Sequence, residues 1–263
     1  LANKESMVIG GAFITAEARR SNARIIPVDS EHSAIFQCLT GESPAQVRRI
    51  LLTASGGPFR DRPKETFRDI TQEEALSHPT WSMGRRITID SATMMNKGLE
   101  IIEACWLFDV GVDMVHVLVH PQSIVHSMVE FHDTSIKAQL GIPDMRVAIA
   151  YALSCPERMP LKLSNLEVDR LITLEFMPPD EEKFPALSIA RAAMDKPSTM
   201  PCIMNAADEV AIKAFLEGRI RFDMMIDLVM ETMDRLSGSR ASTPQELMEL
   251  DRETRKIAEN ILT

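Results

Sequence analysis

The feature that most constrains the fold is a change of pattern at a proline-rich segment. Between residues 155 and 185 the chain carries five prolines, which lack a backbone N–H and interrupt helices and sheets. Before this segment, short apolar runs typical of strands alternate with helical periodicity, and after it only helical stretches follow. The pattern predicts an α/β domain over residues 1–154, a connector over 155–185 and a C-terminal all-α helical bundle over 186–263.

The expected elements follow from the local hydrophobic periods. Aliphatic runs predict strands at 24–28, 50–54, 86–90 and 115–119, and a hairpin of 124–131 with 136–140. Helical spacing predicts helices at 6–22, with a weak point at Gly10-Gly11, and at 92–108, 186–195, 203–217, 222–236 and 244–261. The mostly polar residues 55–86, with one short helical candidate at 72–77, predict a lid loop.

Charge and composition exclude several classes of protein. The 263 residues include 29 Lys and Arg against 38 Asp and Glu, a formal net charge of −9. This acidic balance disfavours nucleic acid as a partner. No apolar run approaches the roughly 20 residues of a membrane-spanning helix, so no membrane partner is expected. The four cysteines form no CxxC pair and are interpreted as buried thiols of a reducing compartment.

Two carboxylates at the end of the predicted strand 24–28 are candidates for a metal site. Asp29 and Glu31 are two residues apart, so on a strand their side chains leave the same face and can converge on one cation. Because Asp-Ser-Glu before apolar positions is also a helix start signal, helix capping stays open as the other interpretation.

A second candidate group lies on the predicted helix 92–108. Asn96, Lys97 and Glu100 are three or four residues apart and project from one side of that helix. Ser91 at its N-terminus, where free N–H groups favour anions, completes a set that resembles a phosphate grip. Taken alone, the same residues are also typical of a solvated helix face, and that interpretation stays open.

The predicted lid offers further candidates. Ser55-Gly56-Gly57 follows a predicted strand and could donate hydroxyl and backbone hydrogen bonds to an oxyanion, while Trp81 could cover a ligand or simply pack on the domain surface. The candidate metal ligands are oxygen atoms without thiolates or clustered imidazoles, which favours Mg²⁺ or Mn²⁺ over Zn²⁺. A hard cation beside an anion-binding group of residues suggests a phosphorylated, hydroxylated substrate.

Several ordered motifs give a more specific indication. The chain contains LANKES at 1–6, PVDSEH at 27–32, SGGPF at 55–59, HPTWSMG at 78–84, DSATMMNKGLE at 90–100, HPQSIVHSMV at 120–129, QLGIPDMR at 139–146 and MNAADEVAIKAFL at 204–216. With these motifs the sequence resembles the deoxyxylulose 5-phosphate reductoisomerase family nearly end to end. The resemblance implies an oxidoreductase and isomerase that uses NADPH and a divalent metal. Its reaction would convert 1-deoxy-D-xylulose 5-phosphate to 2-C-methyl-D-erythritol 4-phosphate in non-mevalonate isoprenoid biosynthesis.

Carried over position by position, the resemblance implies a role for each motif residue. The metal ligands would be Asp29, Glu31 and Glu100, which with Lys4 would form the catalytic group. The substrate would be held by Lys4, Ser30, Glu31, Ser55, His78, Trp81, Ser91, Asn96, Lys97 and Glu100. Its phosphate would contact Ser55, Ser91, Asn96 and Lys97, with His78 closing on it from the lid. NADPH would be touched by Asn3, Glu5 and Gly84.

The resemblance also implies a part that this sequence does not show. Family members carry an N-terminal NADPH-binding Rossmann domain with a Gly-rich turn before LANKES, so we expect this chain to be the α/β catalytic domain and C-terminal bundle without it. The implied partners are a small phosphorylated sugar and a second copy in a homodimer, and the implied location is a bacterial cytoplasm or a plastid-type compartment. A metal- and sugar-phosphate-binding dimerisation module without reductase activity stays open as the alternative.

Overall fold

The computed structural model describes residues 1–78, 81, 83–170, 173–195 and 199–263. Its helices are α1 (Lys4–Ser21), α2 (Ser30–Leu39), α3 (Gln72–Ala75), α4 (Arg85–Ala92), α5 (Met95–Phe108), α6 (Met145–Ser154), α7 (Ala186–Met194), α8 (Met200–Leu216), α9 (Met225–Arg235) and α10 (Pro244–Ile261). Its strands are β1 (Val47–Ala54), β2 (Val115–Val119), β3 (Val125–Phe131) and β4 (Ile136–Leu140). Three residues of the predicted lid, at 79, 80 and 82, lie outside the described residues.

The four strands form one mixed sheet in the order β2-β1-β3-β4. The pair β1 and β2 is parallel, from Ile50 opposite Val115 to Ala54 opposite Val119, whereas β3 is antiparallel to both β1 and β4. The predicted strands at 50–54 and 115–119 and the predicted hairpin are therefore confirmed. Since β1 and β2 end together, the segment after Ala54 leaves the carboxyl edge of parallel strands, where α/β sheets commonly bind ligands.

Two predicted strands are wrong. Residues 86–90 belong to α4: Ile87 and Ile89 alternate as in a strand, yet the Thr88 hydroxyl donates to the Gly84 carbonyl at 2.8 Å, a bond within a helical turn. Residues 24–28 form no strand. Pro27 cannot donate a ladder hydrogen bond, and the Val28 N–H instead donates to the Leu1 carbonyl at 3.2 Å.

The predicted helix 92–108 begins three residues later than expected. Ser91 lies in the last turn of α4, and Met94, with φ +63°, makes a left-handed turn before α5 begins at Met95. Placing Ser91 at a helix N-terminus was therefore wrong. The turn nevertheless brings Ser91 next to the start of α5, because the Met94 N–H donates to the Ser91 carbonyl at 3.2 Å.

The remaining predicted helices are confirmed, with ends that shift by up to three residues. In α1, Gly10 has non-helical φ and ψ, as its predicted weakness requires. Helix α5 packs between α1 and α7, and a Cβ at Gly11 would lie 2.4 Å from the Trp106 ring, so only glycine lets α1 approach α5 this closely. Among the described residues, no helix has the length and apolar character needed to cross a bilayer.

One buried hydrophobic cluster extends from the sheet through α5 into the C-terminal helices. Ile50 in β1, Leu99 in α5 and Ile203 in α8 all belong to it and are fully buried. The boundaries of the two domains and their connector stay a prediction.

Burial raises the pKa of Cys38 to about 11 and of Cys202 to about 12, so both remain thiols. Cys155 is only half-buried, unlike the other three cysteines.

Replacing Thr71 by alanine is expected to lower the free energy of unfolding by about 1 kcal/mol. Thr71 caps α3 in the predicted lid: its hydroxyl accepts from the Glu74 N–H at 3.2 Å, and the Glu74 carboxylate accepts from the Thr71 N–H at 2.8 Å. Urea unfolding measures the loss. Thr263→Ala at the chain end is the control, and an equal loss in both variants would contradict the capping role.

Candidate active site

A cavity of about 260 Å³ lies where the starts of α1, α2 and α5 meet the segment after β1. Every residue that the sequence predicts to bind metal or substrate lines it. These residues are Lys4, Asp29, Ser30, Glu31, Ser55, His78, Trp81, Ser91, Asn96, Lys97 and Glu100. They come from five separate stretches of the sequence, so it is the fold that collects them.

Three carboxylates converge at one end of this cavity. Asp29, Glu31 and Glu100 each offer an oxygen within 4.8 Å of the others. Two buried ammonium groups lie among them: Lys4 Nζ is 2.5 Å from Asp29 Oδ2 and 3.1 Å from Glu100 Oε1. Lys97 Nζ is 2.9 Å from Glu31 Oε1 and 2.5 Å from Glu100 Oε2.

The pKa values in this cluster are set by two opposing effects, burial of the ionisable groups and the charges of their neighbours. Burial alone would lower the pKa of Lys97, but Glu100 and Glu31 hold it above its usual value, and Lys4 behaves likewise beside Asp29. Burial and the nearby charge of Glu100 raise the pKa of Glu31. Burial would also raise the pKa of Asp29, but Lys4 outweighs it and the pKa falls.

The donor set fits a hard divalent cation. All three candidate ligands are carboxylates, the ligand type that Mg²⁺ and Mn²⁺ prefer. Three negative charges face two ammonium groups, and the mutual repulsion of Glu31 and Glu100 is a strain that a cation would relieve.

Asp29 reaches the cluster for a different reason from the one the sequence suggested. It occupies the N-cap position of α2, and Glu31 lies in the first helical turn, so neither residue is on a strand. Aspartate at an N-cap normally accepts a hydrogen bond from the helix N–H groups, yet the Asp29 side chain makes no such bond. The interpretation of Asp-Ser-Glu as a helix start is therefore confirmed, because α2 begins at Ser30, but the Asp29 carboxylate points to Lys4 rather than to the helix N–H groups.

The other end of the cavity joins β1 to the predicted lid. His78 Nε2 lies 3.1 Å from Ser55 Oγ, and the Trp81 N–H donates to His78 Nδ1 at 2.9 Å. Because Nδ1 accepts, the proton of a neutral ring resides on Nε2, which donates to the serine hydroxyl. Burial lowers the pKa of His78, which favours this neutral form.

The glycines after Ser55 serve close packing. Gly57 has φ +68°, and a Cβ there would lie 2.4 Å from the Ser91 carbonyl oxygen, so only glycine fits between this segment and α4. The Gly57 N–H donates to Ser55 Oγ at 3.2 Å and is engaged within the segment. The expectation that this N–H binds an oxyanion is untested.

The three predicted NADPH contacts lie outside the cavity lining. Asn3 caps α1 and donates to Glu5 at 2.6 Å, and Gly84 is the N-cap of α4. Arg86 lies 3.6 Å from Glu5, so the starts of α1 and α4 are neighbours. The structure therefore places these three residues in one region.

Sequence reasoning missed two buried residues behind the carboxylates. His32 Nε2 lies 2.9 Å from the Glu100 carbonyl oxygen, and His32 Nδ1 lies 3.4 Å from Glu103 Oε2. Burial raises the pKa of Glu103 to about 7. The signal was available, because Glu103 follows Glu100 by three residues on one helix face and His32 follows Glu31. His126, interpreted only as a strand side chain, also lines the cavity.

Two protein-family models match the chain. The model of the 1-deoxy-D-xylulose 5-phosphate reductoisomerase C-terminal domain matches residues 25–108. A model described as the DXP reductoisomerase C-terminal domain matches residues 140–257. The first match spans the three carboxylates and Ser91, and the second spans most of the C-terminal helices.

Proteins with similar sequences are named 1-deoxy-D-xylulose 5-phosphate reductoisomerase, as the family models are. The 1-deoxy-D-xylulose 5-phosphate reductoisomerase of Chloroherpeton thalassium is 52% identical over 97% of this chain and 66% of its own length. That of Trichlorobacter lovleyi is 50% identical over 99% of this chain and 67% of its own, and that of Acetivibrio thermocellus is 50% identical over 100% and 69%. The chain thus spans about two thirds of the length of these relatives.

Solved structures agree with the sequence matches. The Zymomonas mobilis enzyme in complex with NADPH is 42% identical, with a TM-score of 0.93 over 100% of this chain and 68% of that one. A reductoisomerase in complex with NADPH, fosmidomycin and magnesium is 38% identical, with a TM-score of 0.93 over 100% and 69%. The mixed α/β fold with C-terminal helices is therefore the fold of the matched part of these proteins.

Proposed function

The chain belongs to the 1-deoxy-D-xylulose 5-phosphate reductoisomerase family, and on that premise we propose that it supplies the catalytic part of such an enzyme. The reaction would rearrange and reduce 1-deoxy-D-xylulose 5-phosphate to 2-C-methyl-D-erythritol 4-phosphate with NADPH. The observation that carries the proposal is the convergence of Asp29, Glu31 and Glu100 in a cavity otherwise lined by lysine, asparagine, serine and histidine. Carboxylates beside cationic and hydroxyl donors suit a metal-chelated sugar phosphate.

In this proposal Asp29, Glu31 and Glu100 hold Mg²⁺ or Mn²⁺. Bound there, the cation supplies Lewis-acid polarisation of substrate oxygens; magnesium is present in a related solved structure. Lys4 and Ser30 donate hydrogen bonds to the sugar chain. Both already lie at the carboxylates, since the Ser30 hydroxyl donates to Glu31 at 2.6 Å and the Lys4 ammonium pairs with Asp29.

The phosphate end of the substrate would contact Ser55, Ser91, Asn96 and Lys97. His78 keeps its Nε2 proton in the neutral form and can donate to a phosphate oxygen as well as to Ser55. The hydrogen bond from the Trp81 N–H to His78 Nδ1 couples the position of Trp81 to the contact between His78 and the phosphate. Closure of the predicted lid over the cavity would exclude water and orient the substrate, so motion of the lid could limit turnover.

NADPH, when bound, supplies the hydride. As the resemblance implies, Asn3, Glu5 and Gly84 would contact it, and their common location at the starts of α1 and α4 supports this assignment. NADPH is present in two related solved structures. The relatives come from bacteria, which supports a bacterial cytoplasmic location.

Calorimetric titration of the purified chain tests the proposal. We expect Mg²⁺ to bind, and inorganic phosphate to bind in its presence. The alternative, a non-reducing binding module, rests on the small number of residues of this chain, three, that are predicted to contact NADPH. Submicromolar NADPH binding to the chain alone would contradict the alternative, whereas absence of either Mg²⁺ binding or phosphate binding would contradict the catalytic proposal itself.

We also propose that the chain forms a homodimer through β4 and α6. Strand β4 is an edge of the sheet, and edge strands are ready to pair or be covered. Ile149 and Leu153 lie four residues apart on one face of α6 and are 42% and 79% exposed, and Ile136 of β4 is 53% exposed. Large apolar side chains that are exposed on an edge strand and on a helix face are typical of an interface.

Replacing Leu153 by glutamate is expected to shift the dimer toward monomer, because a charge would be buried without a partner. Sedimentation equilibrium measures the change, which we expect to be about tenfold or more in the dissociation constant, corresponding to about 1.4 kcal/mol. Met248→Glu, at an exposed methionine of α10, is the control. An unchanged dimer in Leu153→Glu, or a wild-type monomer, would contradict this interface.

A further inference from the structure

Two buried carboxyl groups face each other between α4 and α8. Asp90 is 2% exposed and Asp208 is 1% exposed, and the two side chains are mutual hydrogen-bond partners. Within the part of the chain that the structure describes, no N–H or O–H group donates to Asp90 Oδ1 or Asp208 Oδ2. Two ionised carboxylates cannot hydrogen-bond to each other, so the contact requires a proton on one of them.

The surrounding charges do not remove this requirement. Arg86 of α4 is the nearest cation, but its Nε is 3.7 Å from Asp90 Oδ2, and its terminal nitrogens donate to Asn205 at 2.8 Å and Glu209 at 2.7 Å. The other charged groups that act on the pair are Lys4 and Glu5 of α1 and Glu209 of α8. Burial raises the pKa of Asp90 to about 6, and burial together with the charge of Asp90 raises the pKa of Asp208 well above its usual range.

We propose that Asp90 and Asp208 share a single proton, and that this bond fixes α4, and with it Ser91, against the C-terminal helices. Ser91 directly follows Asp90 and lines the cavity. Arg86 and Asp90 are four residues apart on one face of α4, and both are held by α8, so α8 sets the position of the serine. Asp208 is then a positioning residue. Its effect on phosphate binding rests on the proposed function, whereas the shared proton does not.

The shared proton makes this contact pH-dependent. A carboxyl whose folded pKa is raised contributes stability that is fully present below its unfolded pKa and is lost as the pH rises through the folded value. The pair titrates in two steps, and the hydrogen bond between the two carboxyl groups requires that one proton stays after the first has left. In alkaline solution two buried negative charges would face each other, and α4 would loosen from α8.

Asp208→Asn tests the pair because an amide donates to Asp90 without titrating. We expect Asp208→Asn to fold. As the pH rises from 6 to 9, its melting temperature should fall less than that of the wild type. Infrared difference spectra between the two proteins at pH 7 should show more protonated-carboxyl absorption in the wild type than in Asp208→Asn, because Glu103, with its pKa raised to about 7, contributes equally to both. Asp227→Asn, at an exposed aspartate of α9, should change neither measurement. Absence of that band difference, or an unchanged pH dependence in Asp208→Asn, would overturn the shared proton.

Inorganic phosphate, titrated in the presence of Mg²⁺, tests the positioning role. Asp208→Ala should bind phosphate about tenfold more weakly, the size of effect typical of groups that orient contacting residues. Asp208→Asn should restore wild-type affinity. Equal affinity in Asp208→Ala and wild type would overturn the positioning role. If the wild type itself binds no phosphate while the infrared band is present, the proposed function fails and only the shared proton stands.

Discussion

Replacing Lys97 by methionine is expected to lower the free energy of unfolding by about 3–5 kcal/mol in the absence of divalent cations. The Lys97 side chain is 5% exposed, and its ammonium is the partner of both Glu31 and Glu100. Methionine retains the apolar stem but leaves two carboxylates facing each other with only Lys4 nearby. Removing one partner of a buried ion pair is costly because the remaining charge is uncompensated.

The loss should depend on pH and on Mg²⁺. The pKa of Glu31 is already raised, and without Lys97 it should rise further. Stability from such a group is fully present below its unfolded pKa and is lost as the pH rises through the folded value, so the deficit of Lys97→Met should grow from acidic toward neutral pH. Mg²⁺ should stabilise the variant more than the wild type, because a cation replaces the missing charge.

Thermal or urea unfolding at several pH values, with and without Mg²⁺, measures these effects. Lys213→Met is the matched control: that side chain is 64% exposed and its nearest carboxylate oxygen lies 4.0 Å away. We expect a change within about 0.5 kcal/mol there. A Lys97→Met protein as stable as the control at neutral pH would mean that the buried lysine is not required to balance the carboxylates.

Local pattern predicted the elements whose burial follows a simple period. The strand 115–119 and the C-terminal helices are examples, because one face or one stripe of each is apolar. The strands predicted at 24–28 and 86–90 failed for tertiary reasons. Ile89 is buried against neighbouring elements in α4, and the segment around Pro27 is held by the chain start rather than by a sheet.

The candidate site was predictable in its residue types but not in its geometry. Asp29 and Glu31 were predicted to converge because they would follow each other on a strand, and that strand does not exist. They converge because Asp29 is the N-cap of α2 and Glu31 lies in its first turn. Motif resemblance supplied Lys4 and His78 and assigned Trp81, already a candidate in the predicted lid, to the substrate; spacing alone could not connect these residues to the carboxylates. The pairing of Asp90 with Asp208 joins residues 118 positions apart, and no local pattern reveals such a contact.

Replacing Glu31 by glutamine is expected to reduce turnover by about 10²-fold or more in a full-length reductoisomerase that contains this chain. The proposed cation polarises substrate oxygens, an effect worth several kcal/mol, and each 1.4 kcal/mol is about tenfold in rate. Glutamine is a weaker ligand and keeps nearly the same shape, so the fold should persist. Loss of the Glu31 charge also removes its repulsion with Glu100, so the stability of the metal-free variant should be unchanged or increased.

Steady-state kinetics over a range of Mg²⁺ concentrations separate the two ways in which Glu31→Gln can act. A ligand role predicts weaker metal activation together with a lower kcat at saturating Mg²⁺, while circular dichroism and unfolding remain those of a folded protein. Glu217→Gln, at an exposed carboxylate that pairs with Arg219, should retain full turnover. If Glu31→Gln reaches wild-type kcat at saturating Mg²⁺, Glu31 is not a metal ligand, and the cluster would have to act through Asp29 and Glu100 alone. A stability loss in Glu31→Gln equal to that of Lys97→Met would instead assign Glu31 to balancing the buried lysine.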